Sequence, residues 1–327
     1  MNENTRKHRL GGKMLVLGWL ITLPLAGFAA ARWTAHDAML LLIWANSFTL
    51  YLYLPAYLVA GIGLWRRCWA IAAVAGLVAA CHLYWVLPDV VSSPAADTAA
   101  ENMLNVRVFS ANLRGGNPQS ERLIEEILAA EADILVLQEV TPSWWKKLES
   151  GGLFERFPYR LKKLRRDAFG SAILSRRPLD AADFWQVNGV TMIRCTVVLD
   201  GPRLRLYNVH PLPPASVGYA QTWNQQHEQL AEMLAAETGP TLAIGDFNAT
   251  QHSAWLKRHT AGRMRSAHVD RGRGMAVSWP NLKIPLPPIR IDHALLSPEI
   301  RCVEVREGTG AGSDHKPLIV DLLVPRE

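Results

Sequence analysis

LAIGDFNAT, residues 242 to 250, decides how this chain is read. The run from 241 to 244 is apolar and β-prone, the profile of a strand buried in a sheet, yet it ends in a glycine, a carboxylate and an amide. Strand ends in α/β folds are where chemistry is placed, which makes Asp246 and Asn248 candidate site residues. The same pair also reads as a turn whose side chains bond their own backbone. What surrounds it has to decide.

Outward from this strand, similar patterns recur through the second half of the chain. Strands are expected at 105 to 113, 134 to 138, 171 to 175, 193 to 199, 204 to 209, 291 to 296 and 318 to 323. Helices are expected at 118 to 130, with Asn117 as N-cap, and between 221 and 236. Strands outnumber helices and only some connections are helical, which favours an α/β sandwich over a purely parallel, doubly wound sheet. Several strands finish on polar groups: Asn112, Glu139, His210, then Asp246 with Asn248. Asp292 opens a strand, and Asp314 and His315 stand just before the last one.

The first 87 residues are of another kind. Uncharged or nearly uncharged runs cover residues 14 to 31, 38 to 65 and 68 to 87. At about 1.5 Å per residue these reach roughly 27, 42 and 30 Å, against a hydrocarbon core of about 30 Å, so three transmembrane helices are expected. The middle run carries Asn46 and Pro55 and is expected to be tilted, kinked or overhanging. Arg6, Lys7, Arg9 and Lys13 precede the first run and Arg66 and Arg67 separate the second and third, while only Arg32 lies in the other loop. The positive-inside rule then puts the amino terminus in the cytoplasm and everything after residue 87 outside it, as in a multi-pass protein of a bacterial inner membrane. Alternatively residues 1 to 31 are a signal peptide with Ala29, Ala30 and Ala31 at its cleavage site; two remaining spans would leave the C-terminal part on the same face. The domain reading is a membrane anchor at 1 to 87, a small, polar, proline-bearing linker at 88 to 104 and a catalytic domain at 105 to 327.

The C-terminal part has 28 Lys and Arg against 24 Asp and Glu, a net charge of +4, which suits a phosphate-bearing substrate. Of the four cysteines, Cys68 and Cys81 fall in the third span. Cys195 and Cys302 lack metal-ligand spacing and read as free core thiols in a compartment that would permit a disulfide. Carboxylates, carboxamides and two imidazoles at strand ends, with no Ser or Cys nucleophile paired to a base, suit one type of chemistry. Glu139, Asp314 and the Asn112 carbonyl are oxygen donors for Mg²⁺ or Mn²⁺ rather than Zn²⁺. Asp246 is suited to take a proton from water or orient it, and Asn248 and a histidine to donate to phosphoryl oxygens. The implied reaction is metal-assisted attack of water on a phosphate ester.

Asn112, Gln138 with Glu139, FGSAILSRRPL (169 to 179), NVH (208 to 210), GDFN (245 to 248), IDH (291 to 293) and GSDH (312 to 315) occur in this order. The set resembles the endonuclease/exonuclease/phosphatase superfamily over about residues 105 to 325, with the membrane runs outside it, as in bacterial membrane-anchored members. The resemblance implies a four-layered α/β sandwich, two β-sheets packed face to face with helices outside, and a site at one rim of the sheets. It implies Glu139 as principal metal ligand, with Asn112 and Asp314 completing or supporting the metal site. Asp246 would activate or align water, Asn248 hold phosphate, His315, paired with Asp292, contact the scissile phosphate or act as the base in place of Asp246, and His210 stabilise the transition state or assist the leaving group. One departure stands out: where nucleases of the pancreatic type carry a glutamate that orients the second histidine, residues 192 to 198 offer Arg194 and no acid. Arg194 is then a phosphate-binding candidate or a solvated strand charge.

The substrate is left open among three readings. Basic runs at 160 to 166 and 257 to 273 suit a polyanion such as a nucleic acid. The proline-rich, apolar stretch at 278 to 291, with Trp279, suits a packed loop or a lip touching a base, a lipid chain or the bilayer. Nucleic acid outside the cytoplasm comes first, a phospholipid or lipid-linked phosphate second, and a non-catalytic binding protein on the same fold third.

Overall fold

The computed structural model describes residues 3 to 91 and 102 to 326. The chain divides into two compact units, Met1–Val90 and Val91–Glu327. Of the expected linker, residue 103 and 104 already belong to a strand, 88 to 90 continue a helix, and 92 to 101 lie outside the described residues.

The first unit is helical: α1 (Glu3–Thr34), α2 (Leu40–Ser47), α3 (Thr49–Leu52), α4 (Leu54–Trp65) and α5 (Trp69–Val90). Two stretches, Gly12–Thr34 and Trp69–Val90, are long and apolar enough to cross a membrane. The expected middle span is not one continuous helix: Leu40–Ser47 and Thr49–Trp65 are bent by 75°, so a third crossing exists only if the bent pair counts as one span. The residues at the bend explain it. Asn46 accepts from Arg32 Nη1 at 2.7 Å and donates to Asp37 Oδ1 at 2.6 Å, and Arg32 also reaches Thr49 Oγ1 at 3.0 Å. Pro55 opens α4, where its missing N–H costs nothing. Leu25, Ala29, Tyr53, Ala56, Val78 and Trp85 pack α1 and α3 to α5 together. Gly63 lets α4 approach α5, since a Cβ there would stand 3.1 Å from the Ala72 backbone. Leu58 and Leu77 on the outside are each 66% exposed, an apolar surface unlike that of a soluble protein.

The second unit runs β1 (Met103–Asn112), α6 (Ser120–Ala129), β2 (Ile134–Gln138), α7 (Pro142–Ser150), α8 (Leu153–Arg156), β3 (Tyr159–Lys163), β4 (Ser171–Ser175), β5 (Leu179–Val187), β6 (Val190–Val198) and β7 (Arg203–Val209). It continues with α9 (Val217–Ala236), β8 (Thr241–Asp246), α10 (Ala254–Ala261), β9 (Arg265–Ser266), α11 (Ala267–Asp270), β10 (Asp292–Leu296), β11 (Arg301–Glu307) and β12 (Leu318–Pro325). Two six-stranded sheets result, in the orders β11-β12-β1-β2-β4-β3 and β5-β6-β7-β8-β10-β9. Alternation along the strands builds the layers. Val108, Ile134 and Val136 of one sheet meet Ile193, Leu206, Leu242 and Ile244 of the other. Phe109, Leu135 and Leu137 face outward onto Leu123, Ile127 and Trp144 of α6 and α7. Burial on both faces is why these strands read as nearly unbroken apolar runs. The architecture is the expected α/β sandwich of two sheets flanked by helices.

Asn117 does not cap α6, which starts at Ser120. Its Oδ1 accepts from Gln119 N at 2.7 Å and its Nδ2 donates to Leu113 O and Ala311 O, tying this turn to the loop before β12. All four cysteines are free thiols.

Candidate active site

Parallel pairing aligns the ends of β1 with β2, Asn112 opposite Gln138, and of β7 with β8, Val209 opposite Gly245. Antiparallel β10 begins beside the end of β8, Asp292 opposite Asp246. The two sheets are locked together just beneath this rim. Gln138 Nε2 donates to Asn208 Oδ1 at 2.8 Å, and Asn208 Nδ2 donates to Leu137 O and Ala172 O. Gly245 has φ +143°, and a Cβ there would stand 2.2 Å from Val209 O, so glycine is required at the head of GDFN. Glu139 and Asn248 both sit in the left-handed region, at φ +56° and +48°, which turns each chain sharply out of its strand.

Asp246 Oδ2 is the hub. Asn112 Nδ2 donates to it at 3.2 Å and to Glu139 Oε1 at 3.1 Å, and His210 Nε2 and His315 Nε2 each lie 3.6 Å from it. The latter distances are too long for hydrogen bonds and leave the two imidazoles facing the carboxylate across a gap. Asp246 Oδ1 accepts from Asn248 N at 2.9 Å, and Glu139 Oε2 from Gly115 N at 2.9 Å. His315 Nδ1 is 2.9 Å from Asp292 Oδ2, while Asp292 N and Ile291 N both donate to Ser278 Oγ.

The electrostatics separate the two histidines. Burial opposes charge on His315, but Asp292 and Asp246, the hydrogen bond to Asp292 and the nearby Asp314 outweigh it and raise its pKa to about 10. His315 is therefore an imidazolium at neutral pH. Burial lowers the pKa of His210, more than Asp246 raises it, with His315 lowering it further, so His210 is neutral. Asp246 is pushed up by burial and by Asp292, against the pull of His315, His210 and the Asn248 N–H.

Asp246, Asp292 and His315 offer ligand atoms within 4.8 Å of one another, the one such group among the described residues. A cationic imidazole is a poor metal ligand, so this triad reads better as an ion-pair relay. Glu139 and Asp246, two carboxylates bridged by a single amide, supply hard oxygen donors of the kind that Mg²⁺ or Mn²⁺ prefers. Asn112 Oδ1 accepts from Arg114 N at 3.0 Å, and its amide nitrogen faces the two carboxylates. Asp314 is half-buried beside His315, outside the close triad. The Asn248 side chain donates to Pro211 O at 3.0 Å and thereby joins the GDFN turn to the His210 loop.

Arg194 stands apart from the site. Ile193 and Cys195 face between the sheets, so Arg194 projects from the other face, where it meets Asp183 Oδ2 at 2.5 Å and the Tyr207 hydroxyl. Trp279 is half-buried and bridges to Ile289, in a loop fixed to the site by its neighbour Ser278.

Three consecutive carbonyls after Asp246 each accept from an aromatic ring nitrogen: Phe247 O from His227 Nε2 at 3.0 Å, Asn248 O from Trp223 Nε1 at 3.1 Å, and Ala249 O from His293 Nε2 at 2.9 Å. Because a carbonyl only accepts, His227 carries its proton on Nε2, and its Nδ1 accepts from His259 Nε2 at 3.0 Å. Burial keeps both rings neutral, with the His259 pKa pushed down to about 3. On the other side, Glu126 accepts from Thr309 and Gly310 N, and Asn281 donates to Thr309 O, Gly310 O and Ser313 O, clamping the loop that carries His315. None of these supporting groups was expected from the sequence. Trp223 and His227 look like ordinary members of a helix, and only their contacts reveal the role.

Comparison with known proteins agrees with this geometry. Residues 104 to 315 match the model of the endonuclease/exonuclease/phosphatase family. No curated protein matches. Among solved structures, the fold is similar to an endonuclease/exonuclease/phosphatase from Beutenbergia cavernae (TM-score 0.54, 16% identity, covering 67% of this chain and 72% of that one). It is similar to D. rerio TDP2 complexed with single-strand DNA product (0.55, 14%, 67% and 98%). It is similar also to the 3′ phosphatase NExo from Neisseria bound to a product DNA hairpin (0.53, 17%, 66% and 98%). The chain belongs to the endonuclease/exonuclease/phosphatase family and is, with it, a metal-dependent phosphoric ester hydrolase.

Proposed function

We propose that the protein is a membrane-anchored phosphodiesterase, dependent on Mg²⁺ or Mn²⁺, that cleaves nucleic acid outside the cytoplasm. One observation carries the reading: Asp246 Oδ2 faces two imidazoles at 3.6 Å and an amide shared with Glu139. Glu139 and Asp246 would hold the ion, which when bound polarises a phosphoryl oxygen and favours ionisation of water. Asp246 orients the attacking water as hydrogen-bond acceptor. His315, already cationic, donates Nε2–H to the phosphoryl oxygens as charge builds on them, and Asp292 accepts its Nδ1–H and holds the ring's orientation. Neutral His210 faces the same space and assists the leaving oxygen.

Nucleic acid is favoured by the rim chemistry. The pairing of Lys163 with Ser171, and of Ser171 with Gln138, carries the basic turn after β3 to the Glu139 end of the sheet, with Lys163 and Arg166 exposed. The structural relatives in complex with DNA support the same class of substrate. One observation favours the second reading, a phospholipid or lipid-linked phosphate: the apolar loop carrying Trp279 is hydrogen-bonded to the strand of Asp292. Membrane anchoring is supported by aromatic residues at helix ends: exposed Trp65 and Trp69 flank Arg66 and Arg67, and Trp33 is exposed at the end of α1.

The test offers single-stranded oligonucleotide, plasmid DNA and phosphatidylglycerol vesicles to the purified full chain, with Mg²⁺, Mn²⁺ or chelator. Metal-dependent DNA cleavage supports the reading; cleavage of lipid alone moves the substrate to the second, and no turnover of either refutes both.

A further inference from the structure

We infer that residues 280 to 288, PNLKIPLPP, form a lip that enters the interface of a lipid bilayer. The loop is closed by the Trp279–Ile289 bridge, and its outer residues Lys283, Pro285, Leu286 and Pro288 are exposed, Leu286 at 43%.

The backbone singles out a low-dielectric partner. A segment placed among acyl chains must not present free N–H groups, because each costs several kcal/mol there. Seven of the nine residues present none. Pro280, Pro285, Pro287 and Pro288 have no N–H; Asn281 N donates to Asp314 O, Ile284 N to Leu282 O and Leu286 N to Ile284 O. An ordinary solvent loop has no need of this, since water serves its donors. Lys283, exposed within the loop, supplies a cation for phosphate head groups on a long aliphatic stem. Met275, 48% exposed, adds apolar area on the segment leading into the loop.

A bilayer is also the partner that the chain itself brings near. Val91 and Asn102 are eleven peptide links apart, at most about 40 Å of extended chain, and Val91 directly follows the apolar helix α5. At that tether length, a weak interfacial contact is made at high effective concentration. The lip is rigidly joined to the catalytic rim, through Asn281 to the His315 loop and through Ser278 to Asp292. Seating it therefore orients the site with respect to the lipid surface. The contact rests on the membrane anchoring proposed above and holds whichever ester the site hydrolyses.

The test uses the full chain in nanodiscs of phosphatidylethanolamine and phosphatidylglycerol, with Cys68→Ser and Cys81→Ser and one new cysteine carrying an environment-sensitive fluorophore. Leu286→Cys is compared with Phe184→Cys and Val303→Cys, controls of similar exposure at 40% and 39%. Each variant is first checked for native near-ultraviolet circular dichroism. With doxyl-labelled phospholipid in the disc, the probe at 286 loses more than half its emission and the controls keep theirs. Equal emission at all three positions overturns the inference. So does a probe at 286 that is indifferent to doxyl lipid but shielded on adding single-stranded oligonucleotide, which would make the loop a nucleic-acid contact.

Discussion

Replacing Asp292 by Asn isolates the ion-pair relay with little change of shape. The Asn Oδ1 can still accept from His315 Nδ1, so the ring's orientation is kept and only the carboxylate charge is lost. The bond concerned is 2.9 Å long and buried. A hydrogen bond to a charged partner is worth about 1.5–3 kcal/mol, or roughly one to two pK units at 1.36 kcal/mol each. The His315 pKa then falls from about 10 toward about 8–9. The sign follows from the direction of the shift: a raised histidine is charged below its pKa and loses the charge above it. Activity that depends on the imidazolium therefore persists to alkaline pH in the native protein and fails earlier in the variant. At pH 9 the cationic fraction drops from about nine-tenths to between about a half and a tenth, whereas at pH 7 it stays near complete. Steady-state oligonucleotide cleavage from pH 6 to 10 at saturating Mg²⁺ reads the alkaline limb directly. Superimposable limbs in native protein and variant, or a native limb already falling near pH 7, would refute the assignment of His315 as a cation.

Glu139→Gln should raise the Mg²⁺ concentration for half-maximal turnover by about tenfold or more, as followed in a metal titration; an unchanged midpoint would take the ion elsewhere. Trp223→Phe deletes the N–H that holds Asn248 O while keeping the ring. An effect of about 1.4 kcal/mol on the GDFN turn would lower kcat about tenfold with KM little altered, and a loss of thermal stability alone would argue for packing only. His259 has a native pKa near 3, below the unfolded value, so the unfolded chain takes up the proton first and stability is lost as pH falls from about 6.5 toward 3. At pH 5 the loss is about 2 kcal/mol from this group, visible as a lower urea midpoint than at pH 7 and reduced in His259→Gln; equal midpoints would contradict the neutral pair.

The strands legible in the sequence, β1, β2, β4, β6, β7, β8, β10 and β12, are the eight interior strands of the two sheets. The four that gave no clear signal, β3, β5, β9 and β11, are the four edges. An edge strand has one side in solvent and carries charge there, as in YRLKK and RCVEVRE, so it loses the apolar run that marks a strand covered on both faces. The setting of Arg194 was hidden for the same reason, because its partner Asp183 lies on edge strand β5, which gave no clear signal. The polar strand ends were legible because burial of a carboxylate at a rim is costly enough to need a purpose. What stayed hidden were directions: which atom of the Asn112 amide faces Glu139, and which helix sends Trp223 and His227 under the GDFN turn. The first depends on Asp246, more than a hundred residues away, together with the neighbouring Arg114 N–H, and the second on contacts between separate elements, which no pattern within one element encodes. The bend in the middle apolar run was foreshadowed by Asn46 and Pro55, whereas the Arg32 partner that fixes it sits in another helix.

In the proposed mechanism Asp246 orients the water in a metal-dependent phosphodiester cleavage. The most direct measurement is single-turnover cleavage of a labelled single-stranded oligonucleotide by the native chain and by Asp246→Asn, each with saturating Mg²⁺ and with chelator. The native chain should cleave only with metal, and the variant at a rate about 10²-fold or more lower, with binding of the oligonucleotide retained. A native rate in chelator, or an Asp246→Asn rate equal to the native one, would contradict it.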